Sequence, residues 1–259
     1  MKKLNALLIG LGLLTSVQAL AEGTLRYGLE SQYAPFESRN AHGDLEGFDI
    51  DVGNAICKAA QLQCSWVESS FDALIPALQA KKFDAINSAM NITEARAKNI
   101  LFTKPIYAIP TMLVAKPGDK LQPTAAALKG KNIGVLQGSI QETYAKKHWE
   151  PQGVTITSYQ DQNQVYNDLV AGRLDGTLVM SASGQEGFLN KPQGKGFAFA
   201  GGPLNDDPEV LGVGIGFGLR KGDTELKQKL DTAINQIQQD GTVTKLAAKY
   251  FPGINVGVK

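Results

Sequence analysis

One pattern constrains this chain more than any other. A short apolar strand, a polar turn and a helix start follow one another, and the whole series runs twice. "TLRYGLE" (24–30) reads as a strand, and "SQYAPFES" after it as a loop broken by Pro35. "GFDIDVGNAICKAA" reads as a helix capped near Asp49, with Val52, Ile56 and Ala59 on one face. "CSWVES" (64–69) is a second strand, and "FDALIPALQAKK" (71–82) a short helix whose Pro76 falls in or near the first turn, where a missing N–H does least harm. "FDAINSAM" (83–90) is a third strand, and "NITEARAKNI" begins the next helix. The series then restarts with strands at "TMLVAK" (111–116), "GKNIGVLQGS" (130–139), "VTITSYQ" (154–160) and "LDGTLVMSAS" (174–183). Between them come "SIQETYAKKHW", with Ser139 and Glu142 spaced as a capping box, and "QNQVYNDLVAGR", closed by Gly172. "GVGIGFGLRK" (212–221) reads as a further strand, and the chain ends in two helices, the longer with Leu226, Leu230, Ala233 and Ile237 on one stripe. Alternation of this kind predicts parallel strands with both faces covered. Ligands on such sheets bind outside the carboxyl ends of the strands, where helix N-termini can hold anions. Two such units facing each other make a cleft.

The first residues point to export. Lys2 and Lys3 precede an apolar run, "ALLIGLGLL", and Ala19-Leu20-Ala21 forms a small-residue cleavage site before Glu22, the layout of a secretory signal peptide over 1–21. The run is too short to span a bilayer. Cleavage leaves 238 residues and removes two lysines, so the formal charge moves from +1 to −1. A nearly neutral chain gives no electrostatic case for nucleic acid or an anionic membrane. The two cysteines, Cys57 and Cys64, are a close pair in an exported chain, most simply a disulfide, with a loop-closure contribution of roughly 2.5 kcal/mol. A metal or redox pair is the weaker reading. The spacing is not C-x-x-C, and His42 and His148 are the only histidines.

One local sequence raises a chemical question. In "NSAMNITEAR" (87–96), Asn91 and Glu94 are spaced as a variant capping signature. That leaves Arg96 in a first helical turn, where acidic residues are favoured. A surface arginine is the plain explanation, and an anion bound at this helix start is the functional one.

Taken in order, "YAPFES" (33–38), "GFDIDVGNAIC" (47–57), "FDALIPALQAKKFDAI" (71–86), "NITEAR" (91–96), "GVLQGSIQE" (134–142), "AGRLDG" (171–176), "GKGFAFAG" (194–201) and "DGTVTKLAAKYF" (240–251) resemble the periplasmic solute-binding proteins of ABC importers. Within these they resemble the lysine/arginine/ornithine- and histidine-binding branch, over the whole mature chain. The resemblance implies an α/β fold of the two-lobed periplasmic binding protein type (type II). Two crossover hinge strands near 108–112 and 205–213 would join the lobes, with a ligand cleft between them that closes by hinge bending. Lobe one would hold 22–108 and 213–259, and lobe two 112–205. It further implies a monomer in the periplasm that delivers a small ligand to an ABC permease in the inner membrane, with no cofactor and no metal. A chemoreceptor is a further compatible partner.

The resemblance also assigns roles. Arg96 would grip the ligand carboxylate bidentately, with Ser88 and the backbone around Ala89 and Asn91 completing the cradle. Tyr33 and Phe71 would flank the ligand's side chain, an aromatic face being worth about 0.5–2 kcal/mol to a cation. A core role is the plain alternative for Phe71. Glu30, where the family often has aspartate, would face the cationic end. Leu136, Ser139, Ile140 and Gln141 would form the second lobe's wall, drier than usual because Ile140 stands where threonine is common. The sharpest departure is Met180, which stands where amino-acid binders carry an aspartate for the ligand's α-ammonium. An enclosed ammonium without an anion costs several kcal/mol. The departure predicts a ligand with a carboxylate and a cationic end but no ordinary free α-amino group: a guanidino acid, an ω-amino acid or an opine. An ordinary arginine, ornithine, lysine or histidine binder is the alternative. A dehydratase of the cyclohexadienyl dehydratase type on the same scaffold needs a general acid, and the cleft offers Glu30 but nothing acidic at Met180. Ser139 lies outside any G-x-S-x-G, and "GVGIGFG" is no dinucleotide fingerprint.

Overall fold

The computed structural model describes residues 23–258, so the signal segment expected over 1–21 lies outside the described residues. Strand β1 (Gly23–Leu29) runs into a small meander of β2 (Gln32–Tyr33), β3 (Glu37–Arg39) and β4 (Leu45–Glu46). Next come α1 (Phe48–Ala59), β5 (Leu62–Glu68), α2 (Leu74–Gln79), β6 (Ala85–Ile86), α3 (Glu94–Ala97) and β7 (Leu101–Phe102). A second series follows with β8 (Thr111–Ala115), α4 (Ala125–Leu128), β9 (Asn132–Leu136), α5 (Ile140–His148), β10 (Thr155–Tyr159), α6 (Gln162–Val170), β11 (Gly176–Met180), β12 (Ala198–Phe199) and α7 (Pro208–Leu211). The chain closes with β13 (Gly218–Leu219), α8 (Thr224–Gln239) and α9 (Thr242–Tyr250).

Two five-stranded sheets result, in the orders β5-β1-β6-β13-β7 and β10-β9-β11-β8-β12. β1 pairs parallel with β5 and β6, and β9 pairs parallel with β10 and β11. The expected parallel pairing fails at β8 and β13, which run antiparallel to their neighbours. The reason is topological. Each follows a crossover between the lobes and enters its sheet from the end at which the neighbouring strands finish.

Several elements are shorter than their sequence patterns suggest. "FDAINSAM" is a strand only at Ala85–Ile86, and "GVGIGFGLRK" only at Gly218–Leu219. Gly212 and Gly214 take positive φ (80° and 127°), and Ile215 bridges Asn91 and Tyr107 instead of joining a ladder. That segment is a hinge crossing. "FDALIPALQAKK" splits into a 3₁₀ turn, Phe71–Ala73, and α2, with Pro76 in the helix's first turn. Gly47, not Asp49, caps α1, and Asp49 is buried inside the helix's first turn.

The first lobe's core is aromatic. Phe48 packs edge-on to Tyr107 at 4.9 Å and against Phe251 at 4.6 Å, and Phe36 lies 5.4 Å from Phe251. Burying each such ring is worth about 1.5–3 kcal/mol. These contacts tie α9 and the chain's last turn to the floor of the cleft. The second lobe has its own core of Leu113, Leu128, Ile133, Val135, Tyr144 and Trp149. Cys57 and Cys64 are bonded, pinning the last turn of α1 to β5 across a Cα–Cα distance of 6.1 Å. Among the described residues no helix is long and apolar enough to cross a membrane.

Candidate functional site

The carboxyl edge of β1 opens the cleft. Glu30 follows the strand directly and is 4 % exposed. Its Oε1 accepts from the Gln32 amide at 2.8 Å, and its Oε2 has no partner. Burial pushes its carboxyl up to about 8, against the stabilising Gln32 amide and with a further upward push from Asp161 and Glu68. Tyr33, on β2, is buried, and its hydroxyl accepts from the Met180 amide at 3.4 Å across the cleft.

Arg96 sits in α3, a helix of four residues. Its cap is Thr93, whose hydroxyl accepts from the Arg96 amide at 3.3 Å, so the Asn91-x-x-Glu94 capping signature is not used. Asn91 is instead drawn into the hinge, bridging Ile215, with its side chain 3.4 Å from the Leu211 carbonyl. The Arg96 guanidinium meets carbonyls alone: Nη1 donates to Asn91 at 2.9 Å and Nη2 to Gly138 at 3.0 Å. Desolvation pulls its pKa down to about 10. Among the described residues no carboxylate pairs with it, and its guanidinium lies 5.5 Å from the centre of the Phe71 ring.

Ser88 and Ala89 precede Asn91 in the chain, and the Ser88 hydroxyl and the Ala89 amide both point into lobe one. Ser88 Oγ accepts from the Glu30 amide at 3.0 Å and donates to Glu37 at 2.6 Å. The Ala89 amide donates to Asp49 at 2.6 Å, and Ala89 holds a positive φ of 43°. In this arrangement the Ser88 hydroxyl and the Ala89 amide each donate to an acid within lobe one. Both are backed by acids that sequence reasoning missed. A signal existed for Asp49: it falls three residues before Val52 on the apolar stripe of α1, a poor place for an unpartnered charge.

The second lobe's wall is the turn from β9 into α5. Ser139 caps α5 by accepting from the Glu142 amide at 3.1 Å, and Glu142 accepts from the Gly138 amide at 2.6 Å, one residue away from the expected box. Gly138 needs its positive φ of 76°, and a β-carbon there would lie 2.9 Å from the Cα of Asp72 in the opposite lobe. Leu136 and Ile140 are each 5 % exposed. Gln141 points behind the wall, donating to Thr111 at 2.8 Å. Met180 ends β11, also buried, and the neighbouring Ser181 hydroxyl is buried without a partner. Across the mouth, Gln137 Nε2 donates to Asp72 at 3.0 Å. The lobes are therefore in contact along the cleft, with Arg96 and Phe71 at one part of the seam and Glu30 and Tyr33 lining another.

The chain matches the family model of bacterial extracellular solute-binding proteins, family 3, over residues 25–253. It is 49 % identical over 246 residues to the lysine/arginine/ornithine-binding periplasmic protein of Escherichia coli K12, covering 95 % of this chain and 94 % of that protein. It is 47 % identical to the histidine-binding periplasmic protein of Salmonella typhimurium, covering 97 % of each. A solved Salmonella typhimurium periplasmic binding protein described for high arginine specificity superimposes with a TM-score of 0.81 at 32 % identity, covering 88 % of this chain and 99 % of that one. The chain belongs to the family 3 bacterial extracellular solute-binding proteins, and it is a binding protein, not an enzyme.

Proposed function

We propose that this family 3 solute-binding protein takes up a small solute carrying a carboxylate at one end and a cation at the other, and delivers it to an ABC permease in the inner membrane. One observation carries the reading. The cleft holds two buried or half-buried ionisable groups of opposite kind, neither with a charged partner among the described residues: Arg96, which hydrogen-bonds only to carbonyls, and Glu30, whose Oε2 has no hydrogen-bond partner. An ion of each sign on one ligand would satisfy both. An arginine–carboxylate pair at Arg96 is the bidentate geometry guanidinium favours. Between the two ends, Tyr33, Phe71 and Leu136 offer aromatic and aliphatic surface for methylenes. The names of the relatives, which bind lysine, arginine, ornithine or histidine, fit a cationic carboxylate of this size.

The finer reading concerns the wall of lobe two. Met180 and Ile140 are apolar and buried, and Asn91 is turned toward the hinge. A primary α-ammonium held against Met180 would lose its water without gaining an anion. The preferred ligand is then a guanidino acid such as 4-guanidinobutyrate, an ω-amino acid such as 5-aminovalerate, or an opine. The unpartnered Ser181 hydroxyl favours the second reading, an ordinary basic amino-acid binder in which a serine and a water receive the amine. In both readings the chain works as a monomer in the periplasm after losing residues 1–21, with lobe one formed by 22–108 and 213–259, lobe two by 112–205, and the same loaded form open to a chemoreceptor.

A thermal-shift screen followed by calorimetry tests both. Ligand at a hundredfold excess over Kd stabilises by about 2.7 kcal/mol. The panel is arginine, ornithine, lysine, histidine, 4-guanidinobutyrate, 5-aminovalerate and an opine. Tighter binding of plain arginine than of its des-α-amino analogue by tenfold or more returns the protein to the ordinary basic amino-acid binders. No shift with any member defeats the cationic-carboxylate reading itself.

A further inference from the structure

The chain does not end at α9. Phe251, completely buried, closes that helix, and the backbone then turns at Gly253 (φ 84°) and runs on to the crossovers. There the Val256 carbonyl accepts from the Ala108 amide at 3.0 Å, and the Val256 side chain is buried. On the lobe-one side the crossovers are tied into a ribbon. Ile92 donates to the Gly214 carbonyl at 2.8 Å, Ile106 to Ile215 at 2.7 Å, and Ile215 to Tyr107 at 2.8 Å. On the lobe-two side Ser181 donates to the Pro110 carbonyl at 2.8 Å and Leu204 to Thr111 at 3.0 Å. The first crossover therefore passes from one lobe's hydrogen bonds to the other's between Ala108 and Pro110. Its last tie to lobe one is the bond to Val256. The tail and the crossovers also enclose a groove of about 520 Å³, with Asn255 and Gly257 on one bank and Leu204, Asn205 and Pro208 on the other. Of the residues expected at the ligand only Asn91 lines this groove, which places it on the far side of the hinge from the cleft.

We propose that the tail, residues 253–258, is a strap across the back of the hinge that fixes the pivot of the first crossover and limits how far the lobes open. Two features give it leverage. The Val256 bond keeps the Ala108 peptide with lobe one, so bending is confined to the short stretch up to Pro110, where the proline ring already restricts φ. Without that bond the free stretch lengthens back to Tyr107, whose carbonyl is the next one held, by Ile215. A longer free stretch absorbs larger backbone rotations and admits more lobe orientations. The groove supplies the second feature. Bending that widens the cleft narrows the groove on the other side, and so carries Leu204 and Pro208 toward Asn255 and Gly257. The tail can act as a stop because it is anchored. Phe251 packs at 4.6 Å on Phe48, Val256 is buried, and the Asn255 side chain accepts from the Gly257 amide at 2.9 Å. A restricted open form has less conformational freedom to lose on closure, which favours the ligand-bound state. The effect on ligand rests on the proposed reading of the cleft. The range of opening does not.

The test uses the full mature chain, its disulfide intact, with one spin label in each lobe at Lys98→Cys and Lys129→Cys, both exposed positions. Pulsed EPR of the unliganded protein reads the distance between the lobes. Ending the chain after Ile254, or driving the strap off with Val256→Asp, should broaden the distance distribution and lengthen its mean. Small-angle scattering should show a larger radius of gyration in the same two variants. Removing Lys259 alone should leave both readings unchanged. A wild-type distribution in the truncated chain and in Val256→Asp overturns the strap. Loss of the cooperative melt in both variants would make the tail a part of lobe one's core, and overturns it as well. If only one variant folds, that one decides. Calorimetry with arginine and with 4-guanidinobutyrate then reads the consequence. The Kd of the truncated chain should rise by about threefold or more. The ligand-bound EPR distance should match wild type, because the strap acts on the open form. An unchanged Kd beside a broadened distribution overturns the strap's part in binding, and a shifted bound-state distance overturns its restriction to the open form. Binding of neither compound would count against the proposed ligand class, while the unliganded EPR result would still decide the strap.

Discussion

The two walls of the cleft are built on different principles. Lobe one brings ionisable side chains: Glu30 at the end of β1, Arg96 in α3, and the acids Glu37 and Asp49 beneath them. Lobe two brings little charge to the seam: Asp161, the cap of α6, acts on Glu30 from that side. It offers the Gly138 carbonyl, a capped helix start at Ser139, and the buried apolar side chains of Leu136, Ile140 and Met180. The difference implies a division of labour. A charged wall can hold an ion pair by itself, because each charge-assisted bond is worth more than a neutral one. A neutral, apolar wall adds little attraction but excludes water, and so strengthens every interaction the other wall makes. Energy should therefore concentrate in lobe one and discrimination in lobe two.

The largest expected effect tests the first half of that statement. Arg96→Ala should weaken binding by about 2–5 kcal/mol, since it leaves an enclosed carboxylate unpaired, with folding barely changed. Calorimetry that finds affinity within about threefold of wild type, under 1 kcal/mol, would remove the anchor from lobe one.

Glu30 comes next, and pH reads it. Its carboxyl is raised to about 8 in the folded protein, against about 4.3 in an unfolded chain. Between those values the unfolded state has given up its proton and the native state has not. Stability of the empty protein therefore declines as pH rises from about 4.5 to about 8, and the native state's advantage is greatest below that window. Glu30→Gln should abolish this slope, melting above wild type at pH 8 and close to it at pH 4.5. Ligand affinity should move the opposite way. A cationic ligand needs the ionised form, so wild-type affinity for 4-guanidinobutyrate should climb by up to about tenfold per unit on approaching pH 8 and level off above it. Glu30→Gln should bind more weakly by about 1.5–3 kcal/mol, the value of a hydrogen bond to a charged group. A flat wild-type profile from pH 6 to 8 would detach Glu30 from the ligand's cation.

Met180→Asp tests the other wall. The substitution puts an anion where the amino-acid binders of the resembled branch carry one. The ratio of affinities for arginine over 4-guanidinobutyrate should rise by tenfold or more, about 1.4 kcal/mol, whichever compound the wild type prefers. An unchanged ratio would mean that lobe two does not read the α-position and that discrimination lies elsewhere.

The sequence made one wall more legible than the other, for physical reasons. Strand-to-helix junctions carry local signals, so the ends of β1 and β9, the cap at Ser139 and the placement of Glu30 could all be read from the chain. Arg96 stood out because a cation in a first helical turn goes against the helix dipole. What could not be read were the partners that come from afar. Glu37 and Ser88 are 51 residues apart, Asp49 and Ala89 40, and no local pattern says that these acids occupy the hydrogens that Ser88 and Ala89 were expected to turn toward a ligand. The crossings misled for a related reason. "GVGIGFGLRK" has the alternation of a strand, but Gly212 and Gly214 at positive φ bend it into a hinge, and its true partners, Asn91 and Tyr107, lie more than a hundred residues earlier. Thr93 capped α3 in place of Asn91 because the hinge bridge had already claimed Asn91.

The smallest effect expected is at the mouth of the cleft, where the lobes touch each other directly. Gln137 donates to Asp72 at 3.0 Å, and the Ser70 hydroxyl donates to the other Asp72 oxygen at 2.6 Å. Asp72 is exposed, so water competes for both bonds, and a solvent-facing contact of this kind is worth at most about 1 kcal/mol. Asp72→Ala should therefore change ligand affinity by less than about threefold, roughly 0.6 kcal/mol. The direction is set by closure. Removing a bond that exists only when the lobes meet favours the open form, and the apparent Kd rises by the fraction of closed form lost. Gly138 sharpens the test, because its contact with Asp72 is backbone to backbone and survives the alanine. If Asp72→Ala instead costs tenfold or more, the rim and not the ligand is what holds the lobes together. The closed arrangement would then be largely intrinsic to the protein, and the charged wall of lobe one would not need a ligand to bring the apolar wall onto it.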